Sequence, residues 1–186
     1  MLSLRKYNEK TMTDFLSLAS QRRSIRRFTA EKLTEDEVVE WLKPALMSPS
    51  SKNQHSCEFI LVDHPDLLHQ LSECRSMGTQ FLADVPLAAV VVGDTQVSDV
   101  WVEDAAVAAT TLLYQAESMG LGACWAQVRC RRQDDGTPSA DYVREILRLP
   151  DNIEPLAIIG VGHKQFEKKP HADDALMWEK VHFNQY

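Results

Sequence analysis

Apolar residues recur at helical spacing in several stretches of the chain, and these stretches predict its helices. The clearest begins with a capping box formed by Thr34 and Glu37, after which apolar residues fall on one helix face. Thr13 or Asp14 is the expected cap of the first helix, and Ser139 is the expected cap of the last. The helices are expected over 13–23, 35–47, 65–75, 99–119 and 139–148.

Continuous apolar runs between these helices predict the strands. The run from Pro86 to Val92 contains no polar side chain, which is typical of a strand covered on both faces. The sheet is therefore expected inside the protein. Because helices and strands alternate, the pattern by itself favours a parallel sheet. The strands are expected over 59–62, 86–92, 124–128 and 155–161.

Length and the character of both ends indicate one domain with two arms. The chain has 186 residues, of which 44% are apolar, enough for one core. Residues 1–12 are polar without a period and are interpreted as an N-terminal arm, so the single domain spans 13–186. Its last stretch, 166–186, is charged and then aromatic, which suits a second extended arm. Two arms favour an obligate dimer in which they are exchanged.

The charge of the chain limits its partners. Twenty basic against twenty-seven acidic residues give a formal net charge of -7, which disfavours binding to nucleic acid or to an anionic membrane. Any anion site must therefore be local. The chain shows neither a signal peptide nor an apolar run long enough to span a membrane, so the expected location is the cytoplasm.

The cysteines and histidines give no sign of a metal site or of a nucleophilic enzyme. Cys57, Cys74, Cys124 and Cys130 are widely spaced and form no C-x-x-C pair, so reduced thiols are expected. The chain lacks G-x-S-x-G and H-E-x-x-H, and its histidines are scattered. Neither a metal nor a catalytic side chain is therefore assigned.

A cluster of arginines stands out in this acidic chain. The segment Arg22-Arg23-Ser24-Ile25-Arg26 continues into a fourth arginine, and guanidinium groups with a hydroxyl match the oxygens of a phosphate monoester. A solvated basic turn would have the same composition. Both interpretations stay open on the residues alone.

Three later segments carry further candidate chemistry. The loop SPSSKN (48–53) offers hydroxyls and an amide, although an ordinary turn would look the same. GLGACW (120–125) is neither a P-loop nor a G-x-G-x-x-G site, and it offers either a close backbone approach to a ligand or a simple helix stop. Lys168, Lys169 and His171 form a short basic patch that is either a second phosphate site or a solvated tail.

Taken in this order, the segments resemble the nitroreductase-like family of FMN-dependent NAD(P)H oxidoreductases, over residues 14–180. The arginine segment resembles the family's opening R-R/H-S-x-R/K, SPSSKN resembles its S-P-S-x-x-N loop, and GLGACW resembles the turn after its central helix. The patch at Lys169 and His171 resembles its closing K-x-R. Two departures are a histidine in place of that last arginine, and Gln54-His55-Ser56-Cys57 in place of x-Q-P-W.

The resemblance implies an α+β fold with a central, mainly antiparallel sheet flanked by helices, which overrides the parallel sheet suggested by alternation. It also implies a homodimer with FMN at the subunit interface, where the SPSSKN loop approaches the ring across the interface. The FMN-binding residues that it implies are Arg22, Arg23, Ser24, Arg26, Pro49, Ser50, Ser51, Asn53, Ala123, Cys124, Trp125, Gln127, Lys169 and His171.

The activity implied by the resemblance is hydride transfer through the flavin N5, with NADH or NADPH as co-substrate and a nitroaromatic, a quinone or a similar small molecule as acceptor. Reductant and acceptor are expected to use the same ring face in turn, in a ping-pong cycle. The alternative hypothesis is an FMN-binding protein with a structural or sensory role. Dehalogenation or flavin fragmentation ranks lower, because the stretch between Ile60 and Trp101 has little room for a lid.

Overall fold

The computed structural model describes residues 14–186, so the expected arm over 1–12 and the expected cap at Thr13 lie outside the described residues. The helices are α1 (Phe15–Gln21), α2 (Glu35–Leu46), α3 (Pro65–Ser72), α4 (Trp101–Ser118) and α5 (Ser139–Leu147). The strands are β1 (Cys57–Val62), β2 (Leu87–Asp94), β3 (Leu121–Gln127) and β4 (Ile153–His163). Short 3-10 turns lie at Ser51–Asn53, Gln80–Asp84, Asp173–Ala175 and Trp178–Lys180.

The sheet confirms the α+β fold and corrects the parallel pairing that alternation suggested. Its four strands, counted within residues 14–186, lie in the order β1-β2-β4-β3, and each neighbouring pair is antiparallel. The connections from β1 to β2 and from β3 to β4 each carry a helix, α3 and α5, but the chain re-enters the sheet in the opposite direction. Alternation of elements therefore fixes their order but not strand direction.

The core lies on both faces of the sheet, as the apolar run in β2 predicts. Ala88, Val90 and Val92 face a cluster with α3, α5 and the 3-10 turn at Gln80–Asp84. Ala89 and Val91 face the opposite cluster, where α2 and α4 pack. Successive strand residues point to opposite faces, so a strand covered on both sides has no polar position.

The helix caps are confirmed at one helix and corrected at two. Thr34 caps α2 in a full capping box, and its backbone N–H and hydroxyl donate to the Glu37 carboxylate at 2.8 and 2.9 Å. These bonds, aided by the nearby His163 ring, lower the pKa of Glu37. Asp14 occupies the N-cap position of α1 without a side-chain bond. Ser139 is the first residue of α5 rather than its cap, because its hydroxyl turns inward, where no partner is found among the described residues.

Among the apolar surfaces that residues 14–186 leave uncovered, two stand out. One is a shallow groove of about 440 Å³ on the outer face of α4, where Val107 and Tyr114 lie beside Phe15 of α1. The other is the stretch after 166, which is exposed along its length and carries large apolar side chains in solvent. Those side chains are Phe166, Leu176, Met177, Trp178, Val181, Phe183 and Tyr186.

Candidate functional site

The arginine segment is fixed to the edge of the sheet directly after α1. The Ile25 amide donates to the carbonyl of Ala123 in β3 at 3.0 Å, and the Ile25 side chain is buried. Neighbouring residues of an extended segment point to opposite sides. Ser24 and Arg26 therefore turn away from the core that Ile25 enters.

Glycine at position 122 makes this attachment possible. A Cβ at Gly122 would lie 2.8 Å from Cγ2 of Ile25 and 3.0 Å from the Lys164 side chain, closer than atoms pack. The close backbone approach that the GLGACW segment could offer to a ligand is therefore occupied, at Gly122, by Ile25 of the arginine segment. Gly120 has a φ of +77° and ends α4, as the helix-stop interpretation predicts.

The basic patch near the C-terminus returns to the arginine segment. The Lys168 amine donates to the carbonyl of Ser24 at 2.8 Å, and the Arg23 guanidinium donates to the carbonyl of Lys169. The His171 amide donates to the carbonyl of Ser20 at 2.8 Å. Two segments about 145 residues apart in the chain therefore meet, as the resemblance predicts.

Positive charge converges on one point of β3. Burial raises the pKa of the Cys124 thiol. The positive charges of Arg26, Lys168 and Arg22 lower that pKa, although burial outweighs them. A hydrogen bond with the Ser24 side chain also lowers it. We call Arg22, Ser24, Arg26 and Lys168 the basic cluster. Three cations and a hydroxyl around one strand position form a donor set suited to a phosphate.

Lys168 was not among the residues that the sequence assigned to the cofactor. The patch Lys168-Lys169 was recognised, but the family pattern selected the second lysine. In the structure Lys169 and His171 are exposed and are held beside the arginines through main-chain groups, whereas the Lys168 side chain itself enters the cluster. Only the fold distinguishes the two lysines.

A buried ion pair anchors the returning segment beside the basic cluster. The Lys164 amine lies 2.8 Å from the Glu117 carboxylate, with only 7% and 10% of the two side chains exposed. It also bonds to the exposed Glu167 at 3.2 Å. Burial by itself lowers the pKa of Lys164, but the two carboxylates outweigh that effect and raise it. The segment is therefore attached at the C-terminal end of α4.

The SPSSKN loop lies along α4 from the middle of the helix to its first turn. Ser48 donates its hydroxyl to Thr111 at 3.0 Å, and the Ser51 amide donates to the Asp104 carboxylate at 2.8 Å. Lys52 and Asn53 adopt left-handed backbone angles with φ of 51° and 56°. These strained conformations persist because the surrounding structure fixes the loop.

Asp104 is a further residue that the sequence did not single out. It is buried, and its carboxylate also accepts the hydroxyls of Ser56 at 3.2 Å and Ser98 at 3.3 Å. In the sequence it is one of two acids in the first turn of α4, where acids are common for helix-dipole reasons. Its burial and its three bonds separate it from Glu103, which is exposed.

The outer edge of β3 continues from the basic cluster toward Gln127. Because β3 is an edge strand and the Ala123 carbonyl faces outward, the backbone groups of Trp125 and Gln127 also face outward. Arg75 donates to the Gln127 carbonyl at 3.4 Å. The indole of Trp125 donates to the Gln127 side chain at 2.8 Å, which fixes both side chains. This edge offers hydrogen-bond donors to a flat polar ring.

One protomer does not bring all the expected residues together. Asp104 fixes the SPSSKN loop, and Glu117 fixes the basic end of the chain. A helix rises about 1.5 Å per residue, so these two positions on α4 lie roughly 20 Å apart. Arg22 of the basic cluster lies over Tyr114, roughly 15 Å along α4 from Asp104, so the tip of the loop and the basic cluster form two half-sites.

The thiols and acids give no indication of another chemistry. All four cysteines are free, and burial raises the pKa of Cys57 to about 12 and of Cys74 to about 11. Within residues 14–186, no group of three or more His, Cys, Asp or Glu side chains is placed to hold a metal ion. In the same range no helix has the length and apolar character needed to cross a membrane.

Comparison with known families gives a match over most of the chain. The model of the nitroreductase family matches residues 19–101 and 75–163. A curated relative from Archaeoglobus fulgidus is 30% identical over 176 residues, covering 92% of this chain and 98% of its own, and its name includes the words NADH dehydrogenase/NAD(P)H nitroreductase. The FMN reductase (NADPH) of Bacillus subtilis is 28% identical, covering 93% of this chain and 76% of its own.

Solved structures match equally well. The structure of an FMN-dependent nitroreductase from Clostridium difficile R20291 superposes with a TM-score of 0.89 and 41% identity, covering 92% of this chain and 99% of that chain. The NADPH:FMN oxidoreductase from Vibrio harveyi, solved with NAD+, gives a TM-score of 0.76 at 24% identity, covering 92% of this chain and 77% of that chain. At that identity the second likeness concerns the fold alone.

Proposed function

This chain belongs to the nitroreductase family, and from that premise we propose that it is an FMN-dependent NAD(P)H oxidoreductase that reduces small acceptors such as nitroaromatics or quinones. Its relatives named as FMN-dependent nitroreductase and FMN reductase (NADPH) support the cofactor and the reductant. Under this proposal residues 13–186 form a single FMN-binding domain.

The observation that carries the proposal is the basic cluster. In a chain with a net charge of -7, three cations and a hydroxyl are gathered at the edge of β3 beside Cys124. Self-repulsion makes such a cluster unfavourable unless an anion compensates it. The donor set fits a phosphate monoester, so Arg22, Ser24, Arg26 and Lys168 would hold the FMN phosphate. Arg23, Lys169 and His171 would border it.

The outer edge of β3 fits the ring of the same molecule. Backbone groups of Ala123, Trp125 and Gln127 face outward along one strand that begins at the basic cluster. FMN, when bound, supplies a hydride acceptor and donor at its N5 atom. Outward N–H groups of this edge would stabilise negative charge on the reduced ring. This chain therefore needs no acid–base pair of its own.

A second copy of the chain would complete the site. The SPSSKN loop supplies Pro49, Ser50, Ser51 and Asn53, and its tip at Asp104 lies roughly 15 Å along α4 from Tyr114, over which Arg22 of the same protomer lies. The uncovered apolar face of α4 and the exposed aromatic arm after 166 are surfaces that a homodimer would bury. We therefore propose two sites per dimer, each with the basic cluster of one protomer and the loop of the other.

The proposed cycle is ping-pong. NADH or NADPH and the acceptor would bind in turn at the same place, and bound FMN would accept a hydride from the first and pass it to the second. The protein would hold and orient the partners at this strand edge. The cytoplasmic location expected from the sequence stays a prediction, because nothing in the structure tests it.

A visible absorption spectrum of the purified protein tests the proposal. A flavin band that bleaches on addition of NADH or NADPH under argon, and returns when a nitroaromatic or a quinone is added, supports the oxidoreductase cycle. Bound FMN that neither nicotinamide bleaches would instead favour the structural or sensory role. A colourless protein that does not take up added FMN would refute both.

A further inference from the structure

A single buried carboxylate holds the tip of the SPSSKN loop and also the residue that leads from it into β1. One oxygen of Asp104 accepts the backbone amide of Ser51 at 2.8 Å, and the other accepts the hydroxyl of Ser56 at 3.2 Å. Ser51 begins the tip of the loop, and Ser56 precedes β1. The stretch between them is thus closed on one side chain.

The position of Asp104 in the fold makes this attachment firm. The carboxylate is 7% exposed and lies in the first turn of α4, where the helix dipole favours a negative charge. A third donor, the hydroxyl of Ser98, reaches it at 3.3 Å. A buried carboxylate that loses a donor incurs a large desolvation penalty. The donors on the loop are therefore held strongly.

The start of the loop is attached to α4 by the Ser48 hydroxyl, which donates to Thr111 at 3.0 Å, whereas the other contacts of its tip are local. The His55 amide donates to the Ser50 hydroxyl at 3.0 Å, and the His55 ring lies 3.0 Å from the Asn53 amide oxygen, so both contacts stay within the loop. Beneath it lies a cavity of about 160 Å³ lined in part by Pro49 and Ala108. Packing under the loop is incomplete, so its position depends on hydrogen bonds.

We propose that Asp104 is a positioning residue of the flavin site: its carboxylate closes the SPSSKN loop between Ser51 and Ser56 and thereby sets the surface that the loop presents to the FMN ring. The inference rests on the proposed function. Asp104 touches the loop rather than the cofactor, so its effect passes through the backbone of 51–56.

The test compares two substitutions of Asp104 with a neighbouring control in the full-length protein. Asp104→Ala removes all three bonds. Asp104→Asn keeps the shape, because its oxygen can accept the Ser51 amide while its NH₂ donates to the hydroxyls. Glu103→Gln removes an exposed carboxylate from the adjacent position of the same helix. The affinity of each apo-protein for FMN and for riboflavin is measured by titration at a temperature where the protein is folded. In a second experiment, hydrogen exchange of the backbone amides of residues 48–56 is followed in the absence of flavin.

The expected result is faster exchange in 48–56 and about tenfold weaker binding of both flavins for Asp104→Ala, a loss equal to about 1.4 kcal/mol. Asp104→Asn should recover most of the affinity, and Glu103→Gln should match the wild type. A lowered melting temperature with unchanged flavin affinity would reduce Asp104 to a structural role and overturn the inference. If Asp104→Ala does not fold, Ser98→Ala serves the same test, with about threefold weaker binding expected and unchanged binding overturning the inference.

Failure of the proposed function has a different signature. A wild-type protein that binds neither flavin refutes the FMN assignment itself, and with it the role given to Asp104. Wild-type binding that is insensitive to Asp104 refutes only the positioning role. The riboflavin titration separates this ring-side effect from any loss at the phosphate.

Discussion

The basic cluster predicts a specific loss of affinity for the phosphate of FMN. Replacing Arg22 and Arg26 with Ala removes two of the three cations gathered near Cys124 and leaves Lys168. The Arg22 guanidinium lies over the Tyr114 ring at 5.6 Å and Arg26 is exposed, so neither side chain enters the core as Ile25 between them does. The double variant should therefore keep its fold.

The magnitude follows from the exposure of the two arginines. Arg26 is exposed and Arg22 is half-buried, so each bond to a phosphate is placed at the low end of the range for charged groups, about 1.5 kcal/mol. That value is about tenfold in affinity for each arginine. The effects of substitutions at neighbouring residues are not fully additive, so we expect the double substitution to weaken FMN binding by about thirty- to a hundredfold.

The assay is a fluorescence titration of apo-protein with FMN and, in parallel, with riboflavin, which lacks the phosphate. Riboflavin affinity should be the same in wild type and double variant, and the FMN loss should shrink as salt rises. Arg27→Ala is the matched control, because Arg27 belongs to the same segment but not to the basic cluster. Unchanged FMN affinity, or equal losses for FMN and riboflavin, would refute the placement of the phosphate.

Three further predictions concern stability and assembly. Glu117→Gln leaves the buried Lys164 ammonium with only its exposed partner, and should lower the free energy of unfolding in urea by roughly 3 kcal/mol. Glu37 has a lowered pKa in the folded state, so its stabilisation is complete above the unfolded value of about 4.3 and is lost as the pH falls through the folded pKa. The stability difference between wild type and Glu37→Gln in urea should therefore be full at pH 7 and shrink as the pH falls below about 4.3. Val107→Glu should give monomers in size-exclusion chromatography and weaken FMN binding, because it places a charge on the apolar face of α4.

Each of these has a control and a contrary outcome. Glu167→Gln removes an exposed carboxylate from the same lysine and should change stability by less than about 1 kcal/mol, so equal effects at both positions would contradict the importance of burial. A Glu37 difference that grows toward low pH would contradict the sign given above. Val97→Glu charges an exposed valine that precedes α4 and does not line its apolar groove. Dissociation by this variant, or a dimer that survives Val107→Glu, would move the interface elsewhere.

Local patterns predicted the elements well wherever a single stretch of chain determines the structure. The capping box at Thr34 and the apolar run in β2 were both confirmed, because a cap needs only residues three apart and a doubly covered strand tolerates no polar side chain. The parallel strand direction predicted from alternation alone was wrong, because strand direction depends on how each connection returns to the sheet. The expected cap at Ser139 was wrong because the helix starts one residue earlier than a serine cap requires.

The candidate site was predictable by segment but not by side chain. The arginine segment and the basic patch were expected to meet, and they do, yet Lys168 rather than its neighbour enters the cluster with its amine. Asp104 carried no recognisable signal, because burial and three donors from distant segments define its role. Contacts between residues far apart in the chain depend on packing, which residue types alone do not specify.

The separation of the two half-sites along α4 has a genetic consequence under the proposed dimer. One chain altered in the basic cluster and another altered in the SPSSKN loop would each form inactive homodimers. A mixed dimer of the two would carry both lesions in one site and none in the other. Two inactive alleles should therefore complement each other, with activity restored to at most half of the sites in each mixed dimer.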